Sequence, residues 1–341
     1  RADVPAKFRV TVDADGVGRE EPRTLLEEDY ADKEAWGQRS VDLGEFAGQT
    51  VTIGLEVDAA EPGTVALWGA PTLSRGTGSP LPNVIFYVFD GGAADFMSVY
   101  GYNRRTTPTL ERLAQEGVAF ERAYSNASWT LPSTASFMTS LQSSVMGGLP
   151  RGTNRVPDEA VTMAEHVHRA GYQTAVFTGN PNAGTLSNLQ RGVDLFREDW
   201  ADFSYFGRNN HKEASTNLHE GFWTWREAYP SQPFWAHFQT TDTHGDFPTV
   251  PPFAGRFVSS GERDDYLAWR ERLNAAGGSW MYSPACDSTE ISRTAFYTIH
   301  QGMYDEAMAH NDYELGRLVD RLEAEGQWEN TLLIIGGDHS T

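Results

Sequence analysis

The run Val84-Ile85-Phe86-Tyr87-Val88-Phe89-Asp90-Gly91-Gly92 decides the architecture of this chain. Apolar residues in unbroken succession, without a polar alternation, read as a strand buried on both faces, the pattern of a parallel sheet covered by helices. The acid at the strand's carboxyl end falls where open α/β sheets place their sites. Taken alone, Asp90 reads equally as a metal ligand or as the cap of the following turn.

The same design returns near the other end. Asn330-Thr331-Leu332-Leu333-Ile334-Ile335-Gly336-Gly337-Asp338-His339 is a second apolar run, now followed by an acid and an imidazole. Asp338 and His339 supply the partners that turn Asp90 into a ligand candidate, because a hard divalent cation needs several oxygen or imidazole donors. Thr174 to Phe177 and Phe234 to Phe238 read as further strands, with His237 assigned to packing. Helices alternate with them. Thr107 and Pro108 open one that carries Leu110, Leu113 and Ala114 inward and stops at Gly117. Asp158 to Ala170 has helical spacing and ends at Gly171. From Tyr304 onward an amphipathic helix turns Met308, Leu315, Leu318, Val319 and Leu322 inward and ends at Gly326. The alternation predicts a doubly wound α/β domain over residues 81–341.

Between the first strand and the first inter-strand crossover lies Ser128-Trp129-Thr130-Leu131-Pro132-Ser133-Thr134-Ala135-Ser136-Phe137-Met138-Thr139-Ser140. A hydroxyl two residues ahead of a proline that fits a first helical turn is a nucleophile candidate, since free amides and the helix dipole favour an anion beside it. Thr-Leu-Pro-Ser is also a plain helix start. The metal candidates on either side give Thr130 its chemical reading: a cation beside a hydroxyl lowers its pKa and activates it.

These segments, in order, resemble the sulfatase family of the alkaline phosphatase superfamily. The resemblance rests on Pro82-Asn83-Val84-Ile85 to Asp90, Tyr100-Gly101-Tyr102, Thr107-Pro108-Thr109-Leu110, Gly117-Val118-Ala119-Phe120, Trp129-Thr130-Leu131-Pro132-Ser133 and the closing Asp338-His339. It implies one divalent metal ion, manganese or calcium with zinc as an alternative, on Asp90, Thr130, Asp338 and His339. Thr241-Asp242-Thr243-His244-Gly245, followed by Pro248 and Pro251-Pro252, is similar to the family loop whose histidine assists the leaving group, which makes His244 the general acid candidate. Asn180, Asp242 and Thr134 are the substrate-binding candidates.

Three departures bear on the chemistry. Typical family members carry cysteine or serine at the Thr130 position, oxidised to formylglycine; threonine cannot give that aldehyde, because its β-carbon bears a methyl. The signature arginine is Thr134, and the usual second aspartate is Gly91. Thr178-Gly179-Asn180-Pro181-Asn182 stands where many sulfatases present a lysine and a histidine. The expected function is cleavage of a sulfate or phosphate ester through Thr130. A phosphodiesterase or phosphoglycerol-type transferase, and a non-catalytic glycan-binding protein on the same fold, are the alternatives. The resemblance also implies further sheet beyond Thr341, from the same chain or a second one.

Ahead of the α/β domain, residues 1–76 alternate in period two at Phe8, Val10 and Val12, at Val51, Ile53, Leu55 and Val57, and at Val65, Leu67 and Trp68. With turns at Asp15-Gly16, Ala47-Gly48 and Pro62-Gly63 they predict an all-β sandwich, similar to jelly-roll modules that accompany carbohydrate-active enzymes. Its role is glycan binding or packing on the catalytic domain. Ser74 to Pro80 reads as the linker, and Gly255 to Arg293 as an insertion with a helical piece from Asp265 to Leu273.

Forty-seven acidic against 27 basic residues, a net charge of −20, exclude a general nucleic-acid binder, and only three of the basic residues are lysines. The expected partner is a small-molecule or a glycan- or lipid-linked anionic ester. The single cysteine, Cys286, allows no intrachain disulfide. No apolar run reaches the ~18 residues of a membrane span. The acidic, lysine-poor composition favours an extracellular or periplasmic setting.

Overall fold

Two sheets carry the chain, each built from a different sequence pattern. The computed structural model describes residues 5–14, 22–31, 39–59, 61, 64–68, 71, 73, 81–148, 155–198, 214–229, 232–245, 247, 250–275 and 293–340. The chain divides into two units, one of Arg1–Arg75 with Trp225–Ser231 and one of Gly76–Thr224 with Gln232–Thr341.

In the first unit β1 (Ala6–Ala14) pairs antiparallel with β2 (Arg23–Tyr30) on one side and β3 (Val51–Ala59) on the other. The sequence reading missed β2, whose Leu25-Leu26-Glu27-Glu28-Asp29 does not alternate. The strand expected at Val65 to Trp68 is irregular chain, with Val65 and Leu67 exposed and the Trp68 ring set edge-on to Phe8 at 5.0 Å. Trp68 is therefore held by ring packing rather than by a ladder. Among the described residues the unit has this one sheet, so the second layer of a sandwich is not seen. The turns at Asp15-Gly16 and Pro62-Gly63, the linker Ser74 to Pro80, Pro248 and residues 276–292 of the insertion lie outside the described residues.

The second unit holds the parallel sheet. Its strands are β4 (Asn83–Phe89), β5 (Gln173–Thr178), β6 (Leu195–Glu198), β7 (Phe234–Thr240) and β8 (Thr331–Gly337), in the order β6-β5-β7-β4-β8. Every residue of β5 and β7 is buried, as strands covered on both faces are. On one face α2 (Thr130–Thr139) and α3 (Met163–Arg169) pack through Leu131, Ala135, Met138 and Ala164 against Val176, Trp235 and Phe86. On the other, α4 (Ala214–Ala228) sets Phe222 against Phe177 and Phe238, and α6 (Arg293–Ala324) sends Asn311 to the Tyr87 hydroxyl at 2.8 Å. The sheet is thus covered on both faces over β5 and β7, while Leu332 and Ile334 of β8 stay exposed, and its α/β architecture is that of the sequence reading.

Helix boundaries follow from capping. In α1 (Pro108–Glu116) the Thr107 side chain makes no cap bond; the Asp312 carboxylate of α6 accepts from the Thr109 and Leu110 N–H groups at 2.8 and 3.0 Å instead. Leu110 is buried, while Leu113 and Ala114 are half-buried. Helix α3 starts at Met163 rather than Asp158, because Thr162 and Glu165 close a reciprocal capping box there. Helix α5 (Ser260–Ala275) extends the helical piece of the insertion. All five inward positions read for α6 are buried, and the helix begins eleven residues ahead of Tyr304. None of the described helices is long and apolar enough to cross a membrane.

Candidate active site

Register places the site. Phe89 of β4 pairs with Thr240 of β7 and with Gly337 of β8, so the three strands end level and the chain leaves them at Asp90, Thr241 and Asp338. The Asp90 N–H extends the ladder to the Thr240 carbonyl at 3.0 Å, and Thr243 Oγ1 donates to the Asp90 carbonyl at 2.6 Å. Both carboxylates emerge with no solvent exposure. Gly91, in the position where the family carries its second aspartate, has φ +69° and donates its N–H to Asp338 Oδ1 at 3.0 Å. Its backbone thus ties the two strand ends together in a conformation that a side chain would strain.

Thr130 arrives from the opposite direction as the first residue of α2, following an extended Trp129. Asn180, two residues beyond β5, donates through Nδ2 to Asp90 Oδ2 at 2.6 Å and to Thr130 Oγ1 at 3.0 Å. Thr130 Oγ1 lies 3.2 Å from His339 Nε2 and 3.5 Å from Asp90 Oδ1. Asn180 and Thr130 are both almost wholly buried. Sequence-predicted Asp90, Thr130, Asn180, Asp338, His339 and His244 therefore meet at one place, from the ends of β4, β5, β7 and β8 and the start of α2.

Gln239 carries no assignment from the sequence, although it is an amide in a largely apolar strand, one residue before β7 ends. Its Nε2 donates to Asp90 Oδ2 at 2.9 Å and to Asp338 Oδ2 at 3.0 Å, bridging two buried carboxylates with one amide. Tyr304 of α6 gives no sign of a site role in the sequence. Its hydroxyl accepts from the Ala93 N–H and donates to the Gly91 carbonyl, both at 2.8 Å, and so fixes the turn after Asp90.

Two other candidates stand apart. Asp242 accepts from the Ser215 N–H and hydroxyl at the start of α4 and pairs with His310 Nδ1 at 2.9 Å. Its carboxylate is engaged with helices, not with the Asp90 group. Thr134 is buried one turn below Thr130, on the same helix face, and its hydroxyl has no partner among the described residues. His237 packs as expected: burial pulls its imidazole down to about 3, while Nδ1 lies 3.2 Å from the Phe86 carbonyl.

The charges of the cluster call for a cation. Burial and the neighbouring Asp90 push the Asp338 carboxyl up to about 7. Burial also opposes the charge on Asp90, yet His244 and His339 hold it below the usual carboxylate range. Against its own burial, the His339 imidazole is raised to about 9 by Asp90 and Asp338. Two buried acids sharing one amide donor leave excess negative charge that the imidazolium offsets in the metal-free chain. Asp90, His244 and His339 each present a ligand atom within 4.8 Å of the others, with His244 Nε2 3.8 Å from Asp90 Oδ1. Asp338 Oδ2 lies 3.5 Å from His339 Nε2. The His339 Nδ1 is 2.9 Å from the Ser340 carbonyl, an arrangement that keeps its Nε2 lone pair for a metal. The donor set fits a divalent cation.

A five-stranded parallel sheet with an acid-histidine-hydroxyl cluster at its carboxyl edge defines an α/β ester-processing fold with a candidate metal site. Residues 82–341 match the family model described as Sulfatase. The chain belongs to the sulfatase family, a hydrolase family of the alkaline phosphatase superfamily, whose enzymes typically use a divalent metal. Among curated proteins it is 23% identical over 296 residues to the ulvan-active sulfatase of Formosa agariphila, covering 76% of this chain and 43% of that one. It is 33% identical over 106 residues to an N-acetylgalactosamine-6-O-sulfatase of Bacteroides thetaiotaomicron, covering 30% and 21%. Among solved structures the phosphonate monoester hydrolase of Agrobacterium radiobacter superposes with a TM-score of 0.57 at 20% identity, covering 76% of this chain and 62% of that one. The match spans less than half the length of the two curated relatives and 62% of the hydrolase structure.

Proposed function

We propose that this chain carries the catalytic centre of a metal-assisted ester hydrolase whose nucleophile is Thr130 and whose leading substrate class is a sulfate ester of a saccharide. The convergence of Thr130 Oγ1 with Asp90, Asn180 and His339 carries the reading. The saccharide class draws on the names of the ulvan-active and N-acetylgalactosamine-6-O-sulfatase relatives.

The residues divide the work as follows. Asp90, Asp338 and His339 would hold the cation, with His244 and the Thr130 oxygen facing the same position. When bound, the cation neutralises the ester oxygens and makes the Thr130 hydroxyl more acidic. Asn180 Nδ2 fixes Thr130 Oγ1 in position, and the hydroxyl proton is directed toward Asp90 Oδ1. Attack forms a bond from Thr130 Oγ1 to sulfur and breaks the bond from sulfur to the leaving alcohol oxygen, which takes a proton from His244. Water then attacks the sulfur and gives a proton to His244 as the bond from sulfur to Thr130 Oγ1 breaks, sulfate leaves, and Thr130 Oγ1 takes back its proton from Asp90 Oδ1.

The second reading is transfer or hydrolysis of a phosphorus ester, as a phosphodiesterase or a phosphoglycerol-type transferase. One observation favours it: threonine excludes the formylglycine chemistry expected of a typical sulfatase. Bound metal and turnover on aryl sulfate, phosphate monoester and phosphodiester substrates decide between the two. Sulfate release supports the first and diester cleavage the second. Sugar binding with neither metal nor turnover would support a non-catalytic protein, with the N-terminal β unit as the proposed sandwich-type glycan module over residues 1–76.

A further inference from the structure

Away from the cluster, the most unusual charge feature of this strongly acidic chain is a group of arginines around Phe257. The Arg104 guanidinium lies 5.3 Å from the Phe257 ring centre and that of Arg256 lies 5.1 Å from it. Arg256 Nη2 also donates to the Arg105 carbonyl at 3.1 Å, which brings a third arginine to the same place. Arg104 is neutralised by the buried Asp305 at 2.6 Å, and Arg105 pairs with Glu111 at 3.3 Å. Arg256 is exposed and makes no ion pair among the described residues. Its guanidinium is set against a ring and a carbonyl while the residue stays exposed. A guanidinium oriented in this way loses less freedom on binding a tetrahedral anion than a free surface arginine would.

Position links this group to the reacting centre through a short series of contacts. Asp305, which pairs with Arg104, is the neighbour of Tyr304, whose hydroxyl holds the Gly91 carbonyl beside Asp90. Tyr102 joins the same series by donating to Asp305 Oδ2 at 2.8 Å. Arg256 itself lies on the segment that leads away from His244, twelve residues on, and the adjacent Phe257 and Val258 N–H groups are fixed by Glu306 of α6 at 2.9 and 3.0 Å. One helix therefore braces both the Asp90 turn and the arginine group. A chain already net −20 repels polyanions over most of its surface, so a local excess of guanidinium is where a second anionic group on a substrate would be accepted.

We propose that Arg256, supported by Phe257 and Arg104, is an accessory subsite for a further sulfate group on a sulfated glycan whose scissile ester lies at Thr130. The inference rests on the sulfate-ester reading above and extends it from a single ester to a polysulfated chain. Arg256 selects the longer substrate and takes no part in the bond-breaking step.

Two measurements on Arg256→Ala test this, one of them independent of turnover. Titration calorimetry with a chondroitin 6-sulfate octasaccharide should show affinity falling about fivefold, the size expected for one exposed charge-assisted contact, and the wild-type affinity should fall with added salt. Arg256→Lys should recover part of the loss, because charge returns without the planar fork. In the kinetic arm, KM for the octasaccharide should rise about fivefold at unchanged kcat, while kcat/KM for a small aryl sulfate stays within twofold. Equal octasaccharide affinity in wild type and Arg256→Ala overturns the subsite. So does an equal loss on the aryl ester. A poly(glycerol phosphate) oligomer of matched charge that binds as tightly, with the same loss in the variant, overturns the sulfated glycan in favour of a phosphodiester chain. If the wild type cleaves no ester at all, the hydrolase reading fails, and the calorimetric comparison still decides the subsite.

Discussion

The N-terminal sheet and the interior strand β7 of the parallel sheet respond to water in opposite ways. In the N-terminal unit, Ile53, Leu55 and Val57 of β3 each keep 39% of their surface exposed, and the strands are laced by exposed pairs such as Lys7 with Glu27 and Arg9 with Glu56. In the parallel sheet, β7 has no exposed residue, and its polar side chains Gln239 and Thr240 are hydrogen-bonded inside the protein. Burial there both stabilises the sheet and makes its carboxyl edge chemically useful. Excluding water strengthens each contact of Asp90 and Asp338, and it gives their mutual repulsion a magnitude that a surface pair would not have.

The sharpest test of that contrast lies at the edge itself. Thr130→Ala should reduce turnover at least about a thousandfold, as loss of a nucleophile does, while metal content and melting temperature stay near wild type. Near-wild-type activity in that variant would remove Thr130 from the mechanism. The frame comes next in size. Phe238→Ala, which empties a site packed by Phe177, Phe222 and Tyr87, should cost about 3–5 kcal/mol in denaturant unfolding. Leu55→Ala in the first sheet should cost under about 1 kcal/mol, since much of its surface already faces solvent. Similar costs at the two positions would break the comparison. Gln239→Ala tests the join between frame and chemistry: without the shared amide, metal affinity should fall about tenfold, with a matching loss of the melting-temperature rise that added metal gives. An unchanged metal affinity would mean that the bridge is only structural.

These differences also explain what could be read in advance. β4 and β7 were legible because strands packed between covering elements are apolar nearly throughout, β8 because Leu332 to Ile335 is an apolar run even though Leu332 and Ile334 stay exposed, and Asp90 and Asp338-His339 stood out because they end such runs. β2 was not legible, since a strand on a half-exposed sheet needs no strict alternation. The expected Val65 to Trp68 strand failed for the converse reason, as alternation arises by chance in exposed chain. Asn180 and His244, singled out through motif position, lie in the Asp90 cluster. Gln239 was missed although a lone amide near the end of an apolar strand is a visible signal. Asp242 shows the limit of spacing arguments: two residues from His244, its carboxylate binds Ser215 and His310, contacts set by α4 and α6 rather than by the loop's own sequence.

A further small effect concerns local capping, where neither sheet dominates. Thr162 Oγ1 accepts from the Glu165 N–H at 3.1 Å, and Glu165 Oε2 accepts from the Thr162 N–H at 2.8 Å. Burial opposes the Glu165 charge, but the Thr162 N–H and Arg191 outweigh it and hold the carboxyl below its ordinary value. A depressed folded pKa means that the contribution is present above the unfolded value and is lost as pH falls through the folded one. Thr162→Ala should therefore destabilise by about 1 kcal/mol at neutral pH. Glu165→Gln should cost less, because an amide oxygen can still accept from the Thr162 N–H. The Glu165→Gln deficit should shrink as pH falls from the ordinary carboxylate range through the lower folded-state value of Glu165, where the wild-type carboxylate becomes protonated. Paired unfolding curves at pH 7 and at acid pH measure this, and a deficit that does not change with pH would show that the Glu165 charge adds nothing to the cap.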